Sequence, residues 1–424
     1  MTRVRGLYEV ALGRGPYDAQ ERIIALLYLD IFAASILAAA VNFNGAFALR
    51  LGASNALIGL MSALPALITM LGMVPASAVI VRRGARWPVM LRSLFATRVL
   101  LFGVVLIPWL VPASHQAVVL VGLLTFRFLT VLLFSAGFDS VLADIVPPRL
   151  RAQVFSWRNI LSTAAVIIAL LLIRPWLQWA PFPLNYQVVY LVGGLGGLVS
   201  MWFLTRMKVP PTEQAASGQA RRFSLATIGE AVRERPQYVR FLINTMVGNL
   251  GAFLATPLYI IFYVRALHAS DAWIASSTLV ANIAAMLGFV IARRLLPRFG
   301  EGLLLRVTWP LTGLLPLLIG LSGSLHAVLA IIFWYQLVTP VLNLSHYNML
   351  LDVCPQGQRP TYISVFSSLN NALAFVLPMV GVALADTIGP AAGLVISGAI
   401  WMVGGLLFSL WPVRVADTSR SPVR

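Results

Sequence analysis

From residue 23 to residue 412 this chain keeps returning to long apolar runs, each broken off by a short polar junction. A run of about 20 residues with few charges is the length of one helical crossing of a bilayer core. Barrel strands would be shorter and would alternate apolar with polar residues, which these runs do not. The runs fall at 23–48, 56–81, 88–111, 117–143, 154–174 and 187–206, then at 239–264, 272–296, 302–322, 325–351, 361–385 and 388–411. The expected fold is therefore an all-α polytopic membrane protein with twelve transmembrane helices in two six-helix halves. Charged residues make up 11% of the chain and hydrophobic ones 59%. Soluble domains run at about a quarter charged, so a soluble protein with a large core is excluded.

The net charge of +17 invites a nucleic-acid reading, but the placement of the basic residues argues against it. They sit in short loops between apolar runs, which is how membrane topology is written. Arg82, Arg83 and Arg86 follow the second run, and Arg149 and Arg151 the fourth. Lys208, Arg221, Arg222, Arg233 and Arg235 follow the sixth, Arg298 the eighth and Arg359 the tenth. The opposite junctions carry only Arg50, Arg174 and Arg265. The arginine-rich side is expected to be cytoplasmic, with both termini inside. The first run is too long for a signal-peptide core and is expected to stay as a helix. The single cysteine, Cys354, excludes an internal disulfide.

This divides the chain into an N-terminal half (1–206), a cytoplasmic linker (207–238), a C-terminal half (239–412) and a cytoplasmic tail (413–424). The first part of the linker is rich in Pro, Gly, Ser and Gln and reads as flexible. Residues 223–235 have the pattern of a short amphipathic helix on the membrane surface.

One junction is written twice. Asp144, Pro147 and Arg151 form a D-x-x-P-x-x-x-R string, and Asp352, Pro355 and Arg359 repeat it 208 residues later. With twelve spans and a cytoplasmic midpoint, this duplication resembles the Major Facilitator Superfamily, whose transporters have two six-helix halves. Sugar-transporting members carry an acidic-x-x-Pro-x-x-x-Arg-Gly signature at both junctions; here Ala152 and Pro360 replace the glycine. The family's loop between spans two and three is matched by Arg82, Gly84 and Arg86, while Ser77 and Val81 depart from it. Its counterpart after span eight keeps Arg298 and Gly300. Span five, "NILSTAAVIIALLL", lacks the glycine run of proton-driven drug antiporters. The resemblance implies a cytoplasmic gate made by Arg82, Gly84, Arg86, Asp144, Arg151, Arg298, Asp352 and Arg359. The bland alternative is that these charges anchor helix ends at the interface.

A charge at membrane depth costs at least ~2.5–3.5 kcal/mol and usually faces a cavity or a partner. Asp30 lies seven residues into span one and Arg127 ten residues into span four. In the family resembled, spans one, four, seven and ten line the cavity, which implies that Asp30 and Arg127 meet there and carry proton coupling. The alternative pairs Asp30 with Arg98 of span three as a bundle cement. Helical periodicity sets Asp30 and Asn44 on one face. Gln336, Thr339, Asn343 and His346 share a face of span ten; Asn249, Thr256 and Tyr263 recur on span seven, and Ser364, Ser368 and Asn371 on span eleven. Neutral hydrogen-bonding faces suit an uncharged polar solute, although interhelical bonds would use the same residues. The expected substrate-binding and coupling set is Asp30, Asn44, Arg127, Asn249, Gln336, Asn343, His346 and Asn371. "GGLGG" at 193–197 reads as helix packing.

The expected function is secondary active, proton-coupled transport of a small polar organic solute by alternating access. The expected partners are that solute, a proton and the lipid bilayer, with no nucleic acid. The chain is expected to be a monomer in the plasma (cytoplasmic) membrane. A lipid flippase or a drug exporter on the same scaffold is the alternative. An intramembrane enzyme is more distant: "GLSG" at 320–323 with His326 and His346 resembles a rhomboid-type serine motif, but the match is short and Ser322 falls at a helix end. No metal motif and no ATP-binding loop occur, so no cofactor is expected and the energy should come from a gradient.

Overall fold

The computed structural model describes residues 19–82, 86–207, 209, 235–355 and 359–413. The order is α1 (Ala19–Val41), α2 (Asn44–Arg50), α3 (Asn55–Arg82), α4 (Arg86–Leu110), α5 (Gln116–Ile145), α6 (Pro148–Trp179) and α7 (Leu184–Thr205). Then come α8 (Pro236–Ile261), α9 (Asp271–Gly320), α10 (Leu325–Val353), α11 (Arg359–Ile388) and α12 (Pro390–Leu410). The described residues are helical with short connections. Among them, eleven helical segments are long and apolar enough to cross a membrane. That outcome follows from the solvent: in hydrocarbon a backbone N–H or C=O has no water to bond, so each segment must satisfy its own.

The longest helix shows where sequence and structure differ. α9 runs for 50 residues, about 75 Å at 1.5 Å per residue, far more than the ~30 Å of a hydrocarbon core. Gly300, at φ 71° and ψ 160°, breaks the helical path inside it. A side chain would be strained there, so glycine permits the kink. The expected boundary between spans eight and nine, 297–301, coincides with this break. Span one also departs from expectation. Its helix stops at Val41, and Asn42 and Phe43 form a turn before α2 begins at Asn44. Asparagine competes for local backbone bonds and favours such turns. Asp30 and Asn44 therefore do not share one continuous helix.

The duplicated proline junction has one local geometry. α5 ends at Ile145; Val146 is extended at φ −103°, ψ 121°, before Pro147. α10 ends at Val353; Cys354 is extended at φ −85°, ψ 130°, before Pro355. The proline ring excludes its preceding residue from the helical region, so each helix must end there. Pro148 then occupies the first turn of α6, where a missing N–H costs nothing.

The chain divides into two units. The first holds α1–α7 together with residues 270–279; the second holds α8 and the chain from residue 280 onward. In the first, α1 packs on α6 and α7, and α4 on α5 and α7. The glycines of α7 let it approach its neighbours closely: a Cβ on Gly193 would stand 2.7 Å from that of Ala40 in α1. In the second, α8 packs on α11 and α12 around Tyr238, Phe241, Trp309, Tyr362 and Phe408. Lipid is as apolar as these side chains, so shape fit and hydrogen bonds hold the helices together. The linker, with its expected surface helix, lies outside the described residues.

Candidate functional site

Every buried charged side chain among the described residues lies in the first unit. Asp30 is 4% exposed, Arg98 7%, Arg127 9% and Arg158 8%. Asp30 projects from α1. Its Oδ1 accepts a 2.6 Å hydrogen bond from Ser200 Oγ of α7. Its Oδ2 stands 3.5 Å from Nη1 of Arg158 on α6. The same Nη1 donates to the Leu27 carbonyl at 2.7 Å, and the guanidinium lies over the Phe138 ring at 5.4 Å. One carboxylate thus ties three helices together in a medium where an unpaired one would be costly.

Arg98, on α4, is within electrostatic reach of both Asp30 and Arg127. It reaches its place because α7 carries glycine at 197: a Cβ there would stand 2.7 Å from Arg98 Cδ and 2.6 Å from Leu37 Cδ1. Arg127, on α5, is within reach of Tyr190, whose hydroxyl donates to Asn44 Oδ1 at 2.9 Å. Nε of Arg98 and Nε of Arg127 are both buried and donate to no partner. Around them, hydroxyls bond one another or the backbone. Thr97 and Thr130 meet at 2.7 Å, and Ser35 lies 2.8 Å from Ser162.

Asp30 does not hydrogen-bond Arg127, the partner implied by the resemblance. Its direct partner is Arg158, with Arg98 as a further charge. Arg158 was hidden by the expected span boundary at 154, which left it four residues from a helix end. Because α6 begins at Pro148, Arg158 is ten residues along it, about 15 Å. The proline of the repeated junction was the signal that could have placed it. Ser200 left no signal among the small residues of span six.

In the second unit the expected polar residues separate. His346 Nε2 lies 3.0 Å from Thr245 Oγ1, and its ring stacks on Phe241 at 4.8 Å, with Trp309 at 5.1 Å. Asn249 donates to Asn370 at 2.7 Å, bridging α8 and α11. Asn371 bonds back to the Ser367 carbonyl of its own helix at 2.8 Å. Asn343 is exposed and Gln336 half-buried. Thr245 and Asn370, both missed from sequence, complete the bonds of two expected residues.

Of the gate residues, Gly84 lies outside the described residues, as do the side chains of Arg82, Arg86 and Asp144. Arg151 Nε donates to the Val146 carbonyl at 3.1 Å, closing the end of α5. Asp352 is exposed and within electrostatic reach of Arg359 and Glu301. Arg298 is exposed, with its guanidinium 5.3 Å from the Phe299 ring centroid. Three other polar contacts were not foreseen. Arg50 Nε donates to Asp271 Oδ1 at 2.9 Å, Asn185 reaches the second oxygen at 3.4 Å, and Arg174 donates to Ser276 at 2.7 Å. All belong to the first unit. A hollow of about 320 Å³ lined by Phe32, Ile36, Ile168, Leu172, Trp176 and Val192 is apolar and holds none of these groups.

The serine-motif alternative has no supporting geometry, since Ser322 Oγ bonds the Ser324 carbonyl in a turn and His346 is committed to Thr245. No group of three or more His, Cys, Asp or Glu fit to hold a metal occurs among the described residues.

No match to the sequence was found among curated proteins. Several solved structures share the fold. A bacterial homologue of the human lysosomal transporter Spinster, in an inward-facing and unoccupied conformation, superposes with a TM-score of 0.62 at 14% identity, over 93% of this chain and 97% of that one. The nucleoside transporter NupG gives 0.65 at 13% identity, over 92% and 100%. A D-xylose–proton symporter gives 0.65 at 14%, over 92% and 96%. The family model of the Major Facilitator Superfamily matches residues 23–345. The chain belongs to the Major Facilitator Superfamily and is a multi-pass membrane transporter, not an enzyme.

Proposed function

We propose that this transporter is a proton-coupled secondary carrier that moves a small polar organic solute across the cytoplasmic membrane by alternating access. It works as a monomer with twelve spans, α9 contributing two of them on either side of Gly300, and with both termini in the cytoplasm. The arginine-rich junctions support that orientation.

The observation that carries the coupling reading is Asp30, sealed at 4% exposure between Ser200 and Arg158. Asp30 is a titratable carboxyl whose hold on a proton depends on its neighbours, Ser200 and Arg158. A conformational change that alters either one tips the balance, so one aspartate can load and release a proton in each cycle. The second unit carries neutral hydrogen-bonding pairs, His346 with Thr245 and Asn249 with Asn370, which bond each other in this structure; neutral groups of this kind suit a polar solute. Of two structural neighbours, one is named as a nucleoside transporter and the other as a D-xylose–proton symporter, both for polar organic solutes.

The test uses vesicles containing Asp30→Asn and a panel of labelled D-xylose, uridine and succinate. The substitution should abolish gradient-driven accumulation and spare counterflow exchange, which moves no net proton. Accumulation at the wild-type rate in Asp30→Asn would overturn the coupling role.

A further inference from the structure

Among the described side chains, the buried charges of the first unit do not balance. Among the described residues they comprise one acid, Asp30, and three arginines, Arg98, Arg127 and Arg158. Both oxygens of Asp30 are already engaged, one by the Ser200 hydroxyl and the other by Arg158. Arg98 and Arg127 lie within electrostatic reach of each other. Each has a buried Nε that donates to nothing. A guanidinium keeps its charge at neutral pH, so proton loss does not relieve the excess.

Among the described residues, the neighbouring hydroxyls are already committed elsewhere. The Tyr190 hydroxyl donates to Asn44, that of Thr130 to the Arg127 carbonyl and that of Thr97 to the Ser93 carbonyl. Two like charges held together in a membrane, each with spare donors, are stable when something negative joins them.

We infer that the Arg98–Arg127 pair is the binding site for an anionic group, and that the transported solute is a small organic anion bearing a carboxylate or a phosphate. This inference rests on the transporter reading above and narrows its substrate from polar to negatively charged. The planar guanidinium offers two parallel N–H donors that match two oxygens of a carboxylate or phosphate. Two such groups from neighbouring helices α4 and α5 can share one oxyanion. A carboxylate offsets half of the excess that Asp30, held by Arg158, leaves, and a doubly charged phosphate offsets all of it.

The test is thermal unfolding of the purified full chain in detergent, with no gradient present. Inorganic phosphate, sulfate and succinate are titrated against sodium chloride at equal ionic strength, and against D-xylose and uridine. At least one oxyanion should raise the melting temperature of the wild type in a saturable way, as a ligand of the folded state must. Arg98→Gln and Arg127→Gln should each raise the half-saturating concentration tenfold or more. Arg98→Lys and Arg127→Lys, which keep the charge but lose the paired donors, should fall between, and they carry the comparison if a glutamine variant does not fold. Oxyanions that act no better than chloride on the wild type overturn the proposal. So does an oxyanion that stabilises the variants as it does the wild type. Oxyanion binding without gradient-driven accumulation in vesicles overturns the coupled-transport reading alone. Accumulation of a neutral solute with no oxyanion effect overturns the anion site alone.

Discussion

Removing Arg158 isolates the energetics of the buried pair. Arg158→Gln deletes the charge facing Asp30 Oδ2 at 3.5 Å and the 2.7 Å bond to the Leu27 carbonyl. Both partners are buried, at 9% and 5% side-chain exposure, so water screens little of the interaction. Leaving one buried charge without its partner costs about 3–5 kcal/mol. Arg98 is also within reach of Asp30, which places the expected value near the lower end, about 3 kcal/mol. Asp30→Asn alone should cost about 2–3 kcal/mol, because it strands Arg158 and enlarges an existing excess of positive charge. The double variant removes both charges and should lie within about 2 kcal/mol of wild type, since deleting a whole buried pair is far less costly than breaking it. The coupling energy is then at least about 3 kcal/mol, at or above the upper end of what contacting residues show. Equilibrium unfolding in mixed detergent, followed by tryptophan fluorescence, supplies the four corners of the cycle. If the double variant is destabilised by the sum of the two singles, Asp30 and Arg158 do not act as a pair, and the account of how α1 is fixed to α6 fails.

Two further predictions concern topology and the repeated junction. Reporter fusions at Gly218 and at Ser114 should report opposite sides of the membrane, with Gly218 cytoplasmic; the same side for both would overturn the twelve-span arrangement. Asp352→Asn should lower transport several-fold, leave membrane insertion and the melting temperature nearly unchanged, and shift the accessibility of cysteines placed along α10. Transport and accessibility equal to wild type would reduce Asp352 to an anchor of its helix end.

The spanning helices were legible because hydrocarbon imposes a single rule on the backbone, and that rule shows as apolar length. The ends of α5 and α10 were legible for a related reason: a proline acts on its own neighbour, within the reach of local sequence. The polar site was less legible because its partners are chosen across helices. Asp30 stood out as a charge in an apolar run, but which arginine meets it depends on how α1, α4, α5, α6 and α7 rotate about their axes. Arg158 was masked by a helix that starts six residues earlier than the apolar run suggests. Asn44 was placed on the face of Asp30 by a continuous period that the turn at Asn42 and Phe43 interrupts; it reaches Arg127's surroundings through Tyr190 instead. The span-ten stripe divided because period alone marks a face and not what lies opposite it. Phe241, Trp309 and Thr245 claim His346, while Asn343 is exposed.

Gly197 bears no charge and no donor, yet it determines where a cation stands. Its missing side chain is the space through which Arg98 Cδ and Nε pass. A substitution to alanine would leave every ionisable residue intact and still force the Arg98 side chain to shift. The electrostatic character of this site is thus partly encoded as volume on a helix whose only direct polar contribution to Asp30 is a serine hydroxyl. A search for specificity determinants confined to polar residues would pass over the position, and a redesign of the charge pattern could begin there without touching a single charge.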